Sequence, residues 1–269
     1  MRSLLVPLLV LAASCKGFTA DPYDPNAAPD AGADVAASTA PCPNGALRFD
    51  GSSFVEVAPN TSFNELSNMT VEAWILPDTA IGVTEVDVIS HHEENNSDGW
   101  VLFLNGGVTF RIYSGPGAGA SVEASDPDIT LGEWHHVAAV FDGGVRSITI
   151  FIDGKTKGRQ LRDRPMADRY DGTIAIGAAA SGPPKGFLGL IDEVRVSSNV
   201  RYTTTFTPAY PFPDAEEGTV GTWHFLDGKS SAEVANEATG KLTSKLASFV
   251  TPPNFPKPEL STCALGPRH

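Results

Sequence analysis

The chain has 269 residues, 41% hydrophobic and 19% charged, enough for one large all-β domain with appendages or for two small domains. A formal net charge of −13 and a pI near 4.8 argue against nucleic acid or an anionic lipid surface as the main partner, because either needs a positive footprint. The 26 glycines and 21 prolines recur between short β-rich runs, which is the spacing of many strands joined by turns.

The first residues, Met1-Arg2-Ser3, precede the apolar run Leu4 to Leu11 and the small residues Ala12-Ala13-Ser14. A charged start, a short apolar region and a small-residue cleavage site make residues 1–14 a signal peptide. The tetrad Ala12-Ala13-Ser14-Cys15 resembles a bacterial lipobox, in which the cysteine sulfur is acylated and becomes the mature N-terminus, although Ala12 stands where that motif usually has leucine. The resemblance implies an exported protein whose sole membrane contact is a lipid on Cys15. Lys16 in the next position is compatible with sorting to the outer membrane of a Gram-negative bacterium. A plain secretion signal cleaved elsewhere is the other reading of the same residues. Residues 16–41 are dominated by Asp, Ala and Pro and cannot bury enough surface to offset their ordering entropy, so they are expected to form a disordered spacer.

The two remaining cysteines, Cys42 and Cys263, are most simply a disulfide in an oxidising compartment. So long a loop would stabilise the fold by on the order of 5 kcal/mol in the chain-entropy picture. The bond requires the two ends of the domain to lie side by side. A jelly roll whose first and last strands are neighbours supplies that arrangement, and the domain is placed at residues 42–263 with a short tail at 264–269.

Within it, apolar alternation predicts strands at 46–49 and 54–57 around Asp50-Gly51, then at 69–76, 85–91, 100–104 and 108–113, with Gly106-Gly107 as a tight hairpin. Residues 134–141, the turn Asp142-Gly143-Gly144 and residues 145–152 form the strongest hairpin signal. Further strands are expected at 173–176, 187–196, 220–225 and 242–250. Nothing sustains a 3.6-residue period, so the expected fold class is all-β, a two-sheet antiparallel jelly-roll sandwich.

The succession Leu47-Arg48-Phe49-Asp50-Gly51, Thr70-Val71-Glu72-Ala73-Trp74-Ile75, Gly132-Glu133-Trp134-His135-His136-Val137-Ala138, Ile152-Asp153-Gly154-Lys155 and Gly189-Leu190-Ile191-Asp192-Glu193-Val194-Arg195-Val196 resembles the bacterial laminin-G-like branch of the concanavalin-A-like jelly rolls. The segment Gly221-Thr222-Trp223-His224-Phe225-Leu226 is similar to one that borders such domains. The resemblance implies a binding module for a glycan or for an extracellular or envelope protein, with contacts on rim loops around 91–98 and 159–171. A structural envelope lipoprotein with protein contacts only is the alternative.

Some members of the wider fold are glucanases, whose active strand reads Glu-x-Asp-x-(x)-Glu, with the two glutamates as nucleophile and acid. This chain has Glu85-Val86-Asp87-Val88 and then Ile89-Ser90 where the second glutamate belongs, so the leaving group would go unprotonated and an enzyme is not expected. His91-His92 and His135-His136 are adjacent pairs; neighbours on a strand face opposite sides, so neither pair is expected to chelate one ion.

Three other groups are candidates. Asp192 alternates with Val194 and Val196 onto an apolar face, where a carboxylate needs a hydrogen bond or a metal; a buried aspartate fixing a loop and a calcium ion shared with Asp50 are both open. The stretch from Glu93 to Asp98 is rich in hard oxygen ligands of the kind Ca²⁺ takes, which makes Glu94, Asn96 and Asp98 candidate calcium ligands, Asp98 by the resemblance. Arg159, Arg162, Arg164, Arg169 and Tyr170 form the basic spot of an acidic chain; they could hold an acidic sugar or a peptide carboxylate, or could pair with the surrounding aspartates.

Overall fold

The computed structural model describes residues 46–64, 66–79, 84–93, 98–113, 121–127, 129–161, 170–181, 185–213, 216–225, 242, 244–248 and 257–259. Cys15, the spacer, Cys42 and Cys263 lie outside them.

The described chain forms two antiparallel sheets, as expected from the alternation. The first contains β1 (Ala46–Asp50), β3 (Asn68–Pro77), β8 (His135–Asp142), β9 (Ser147–Ile152), β10 (Lys155–Leu161), β12 (Leu188–Ser197), β13 (Thr219–Trp223) and β15 (Lys257–Glu259), in the order β10-β9-β8-β3-β12-β1-β15 with β13 also beside β12. The second contains β2 (Ser53–Val57), β4 (Val86–Glu93), β5 (Asp98–Leu104), β6 (Val108–Tyr113), β7 (Ser121–Asp126), β11 (Ile174–Ile176) and β14 (Ser244–Ser248), in the order β14-β2-β11-β4-β5-β6-β7. A single 3-10 turn at Thr61–Phe63, capped by the Asn60 side chain, is the helical piece among the described residues.

Alternation explains the core. Val71, Ala73 and Ile75 of β3, Val137, Ala139 and Phe141 of β8, and Leu102 and Leu104 of β5 point between the sheets into one apolar cluster that also holds Trp100 and Trp223. Three strands departed from the expected list. β10 reads Lys-Thr-Lys-Gly-Arg-Gln-Leu and is exposed along most of its length, so it has no apolar face to betray it. β7 is polar and β15 has three residues, one of them proline. β9 starts at Ser147 because Arg146 takes a left-handed turn, φ 53°, and leaves Val145 at the surface.

The hairpin between β9 and β10 turns on Asp153 and Gly154, both with positive φ, and the Asp153 side chain accepts from the His136 backbone N–H and from the His135 ring. A Cβ on Gly154 would lie 1.9 Å from the Phe206 carbonyl oxygen. That close approach seats residues 199–213, which cross the outer side of the first sheet as a strap. Trp74 Nε1 donates to Ala209 O, Thr70 Oγ1 to Asn199 O, and Phe206 N to Gly154 O.

Under the strap lies a buried ionic network. Glu72, fully buried, accepts from Arg195 Nε at 2.8 Å, from His136 Nε2 at 3.1 Å and from Tyr202 OH at 2.8 Å. Burial would push the Glu72 carboxyl up, but the hydrogen bond and charge of His136 and then the charge and hydrogen bond of Arg195 outweigh it and hold the group below its ordinary range.

β12 departs from simple alternation at a bulge. Its pairing with β3 shifts between Asp192 and Arg195, and Glu193 takes φ 50°. Val194 and Val196 therefore point into the core, whereas Asp192 sits opposite Trp74 on the strap side. The expectation that these three share one face is corrected: the extra residue inverts the pattern. Asp192 accepts from Tyr210 OH at 3.0 Å and from Glu193 N at 2.9 Å, and the Glu193 carboxylate accepts from Phe212 N and His224 Nδ1.

Candidate functional site

With the strap over the first sheet, the outer side of the second sheet collects a different set of groups. The pairing of β4 with β5 shifts between Asp87 and Ile89, so Val88 and Ile89 both enter the core while Asp87 and Ser90 stand opposite Phe103 and Val101 on the outer side. Glu85, Asp87, Ser90 and His92 thus line one face. This is the arrangement that a Glu-x-Asp-x-x-Glu strand needs, with Ser90 in the third place, and the Ser90 hydroxyl donates to the Ala178 carbonyl at 2.8 Å.

β6 adds Arg111 and Tyr113. The Arg111 guanidinium lies 4.5 Å over the Phe103 ring, and its Nη1 reaches both oxygens of Glu85 at 3.2 Å. Lys185 Nζ donates to the same carboxylate at 2.9 Å. Arg111, Glu85 and Lys185 keep 14–17% of their side-chain surface, whereas Asp87, Ser90, His92, Val101 and Phe103 beside them are buried. Burial pushes the Tyr113 phenol up, against the opposing hydrogen bond and charge of Arg111.

The aromatic part of this face is the His92–Tyr113 pair, whose rings stack with centroids 5.5 Å apart and planes 14° from parallel; Gly99 stands opposite His92 on the neighbouring strand. A Cβ on Gly99 would meet the His91 carbonyl oxygen at 1.9 Å. Sequence reasoning cited Glu85, Asp87 and Ser90 only as an incomplete glucanase motif and did not single out Arg111, Tyr113 or Lys185. Alternation around Val108–Tyr113 could have placed Arg111 and Tyr113 on the same outer face.

The histidine pairs behave as adjacent strand residues should. His91 faces inward among Phe63, Trp100 and Tyr170, with its Nε2 3.1 Å from Asn64 Oδ1, and burial lowers its pKa to about 4. His92 faces outward. His135 bonds Asp153, and His136 bonds Glu72 beneath the strap.

The rim residues scatter. Asp98 opens β5 opposite Glu93; Glu94 and Asn96 lie outside the described residues. Tyr170 packs its ring 5.0 Å from that of His91. Arg159 instead belongs to β10, on the other sheet, opposite Thr149. Arg162, Arg164 and Arg169 lie outside the described residues.

Asp50 is exposed and accepts from Ser52 N and Oγ, both at 2.9 Å, as a turn-forming aspartate does. It pairs with Leu188, four residues from Asp192 along β12, a separation of about 13 Å. One calcium ion with ligands at about 2.3–2.6 Å cannot bridge them, so the shared Asp50–Asp192 site is corrected. Among the described residues no group of three or more His, Cys, Asp or Glu side chains is gathered to hold a metal.

A laminin G family model, described as the concanavalin A-like lectin/glucanases superfamily, matches residues 49–205. Among curated proteins nothing matches. Of the solved structures, a candidate carbohydrate binding protein from Bacteroides ovatus ATCC 8483 superposes with a TM-score of 0.60 at 16% identity, over 80% of this chain and 59% of that one. The SAP-like pentraxin of Limulus polyphemus gives 0.45 at 17% identity, over 59% and 77%. Domains LG4-5 of the mouse laminin alpha1 chain give 0.44 at 17%, over 61% and 47%. This chain therefore spans about three fifths of the Bacteroides protein's length, and at such identities the likeness is one of fold.

Proposed function

Because the chain belongs to the concanavalin A-like lectin/glucanases superfamily, we propose that it is a non-catalytic glycan-binding module, held at the bacterial cell envelope by a lipid on Cys15 and set off from it by residues 16–41. The supporting observation is the outer face of the second sheet. It keeps the bulged strand and two acidic residues of a glucanase cleft, has Ser90 in place of the second glutamate, and sets Arg111, Lys185 and Tyr113 beside them. Retaining hydrolysis needs two carboxyl groups about 5 Å apart that are free to act as nucleophile and acid. Here Glu85 is engaged by two cations. Aromatic faces and fixed charged groups suit sugar C–H faces and hydroxyls.

Screening the purified domain on a glycan array should find a preferred sugar, and incubation with that glycan should release no reducing ends. Arg111→Ala, at a half-buried position, and Tyr113→Phe, which keeps the buried ring and removes its hydroxyl, should each weaken that binding by about tenfold or more while unfolding within a few degrees of wild type. An array without hits, beside capture of an envelope protein from extract, would replace this reading with the protein-contact one.

The same reading includes the covalent closure of the domain. β1 and β15 pair antiparallel through Ala46↔Glu259, Leu47↔Pro258 and Arg48↔Lys257. This pairing brings the described ends of the domain side by side, which is what a Cys42–Cys263 disulfide requires. Two thiols would lose two protons and two electrons to a thiol–disulfide oxidant of the exporting compartment. Mass spectrometry of the exported chain under non-reducing conditions is expected to find the Cys42–Cys263 cross-linked peptide. Two alkylatable thiols would remove the staple.

A further inference from the structure

Beside the strap, on the sheet opposite the proposed glycan face, an open cavity of about 580 Å³ is lined by Arg195, Arg201, Tyr202, Thr207, Glu216 and Glu217 with their neighbours. Its size falls in the range of small-molecule sites. Two guanidinium groups are set deep in it, Arg195 with 2% and Arg201 with 9% of the side chain exposed.

Each is fixed from behind. Arg195 donates through Nε to Glu72 and through Nη2 to Tyr202 OH at 3.4 Å. Arg201 donates through Nε to Ser197 Oγ at 2.6 Å and through Nη2 to Thr219 Oγ1 at 2.7 Å. Their Nη1 groups converge on one atom, Glu216 Oε2, at 2.5 and 2.7 Å.

Two cations held this close require anions. Burial and then the charge of Arg195 push the Arg201 guanidinium below its ordinary range. Glu72, buried and immobile in its network, answers one charge. The second is answered by Glu216, a side chain 39% exposed, reaching in from the turn at 216–218. The cations are rigid and buried, whereas their shared carboxylate comes from outside.

We propose that Arg195 and Arg201 form a carboxylate-reading site in which Glu216 is a resident stand-in, displaced by the carboxylate of a sugar acid. A planar guanidinium pair matches a carboxylate in charge and geometry. Thr207, Asn199 and Glu217 line the same cavity and are residue types that offer donors and acceptors to ring hydroxyls. The site lies on the other sheet from Arg111 and Tyr113, so its failure would leave the glycan face untouched.

Titration of the exported chain with sodium D-glucuronate, sodium acetate and glucose, followed by calorimetry, tests it. Glucuronate should bind in the millimolar range, acetate more weakly and glucose not at all. Glu216→Gln, which removes the competing charge, should tighten glucuronate by about tenfold. Thr207→Trp fills the cavity from an exposed position without touching the ion pairs, and should abolish binding in a folded protein. Absence of glucuronate binding by the wild-type chain would overturn the proposal. So would binding confined to Glu216→Gln, which makes Glu216 a fixed structural partner, or binding that survives Thr207→Trp. Equal affinity for acetate would overturn the sugar-acid assignment.

Discussion

Glu72→Gln is expected to cost the domain about 3–5 kcal/mol, the penalty for leaving a buried charge without its partner. For a domain of this size that corresponds to a fall of about 10 °C in thermal midpoint. The reason lies in what Glu72 holds. Arg195 is buried beneath the strap, with its guanidinium 4.4 Å over the Phe212 ring, and the Glu72 carboxylate also takes His136 and Tyr202 from two other elements. An amide keeps the volume but cannot answer the charge. The double variant Glu72→Gln/Arg195→Met removes both charges and should recover a large part of the loss, because a buried pair replaced by apolar volume is often neutral. Thermal unfolding of the two variants decides it: equal midpoints for Glu72→Gln and wild type would show that the network contributes nothing.

The second large effect is on pH dependence. Asp192 is fully buried, and desolvation with the adjacent Glu193 carboxylate pushes its pKa from 3.8 to about 7. Between those values the folded chain keeps a proton that the unfolded chain has released, so this group makes stability fall as pH rises. Its contribution is fully present below about pH 4 and lost as pH passes through about 7. The window is worth on the order of 4 kcal/mol. Asp192→Asn stays neutral throughout and retains a partner for Tyr210. It should match wild type near pH 4, exceed it by about 4 kcal/mol at pH 8, and flatten the slope between. Parallel stability curves for the two proteins in denaturant titrations at pH 4, 6 and 8 would show that Asp192 is not protonated in the fold.

Much of the sandwich could be read from residues. β3, β5, β8 and β12 carry apolar alternation because one face of each meets the core, and Asp142-Gly143-Gly144 marks the hairpin that joins β8 to β9. What stayed hidden is what alternation cannot encode. β10 has no buried face, and the bulges at Val88 and Glu193 each insert a residue that reverses inside and outside. The second reversal is why Asp192 reads as core-facing in the sequence and sits beneath the strap in the structure.

The candidate site was legible only where a motif existed. Glu85, Asp87 and Ser90 follow from a known strand pattern. The contribution of Arg111, Tyr113 and Lys185 depends on register across three strands and on Lys185, a hundred residues further along the chain than Glu85. The His92–Tyr113 stack joins β4 to β6 across β5, a pairing that only the strand order reveals. Of the basic spot from Arg159 to Tyr170 only the two ends are described: Arg159 pairs with Thr149 in the first sheet, and the Tyr170 ring packs on His91 of the second.

The most direct test is an amide chemical-shift map of the isotope-labelled domain titrated with the sugar that an array selects. Perturbations should gather at residues 90–92, 99–103 and 111–113, on three neighbouring strands of the second sheet. Shifts confined to the rim around Asp98 and Tyr170, or to the strap at 199–213, would contradict a ligand seated on that face.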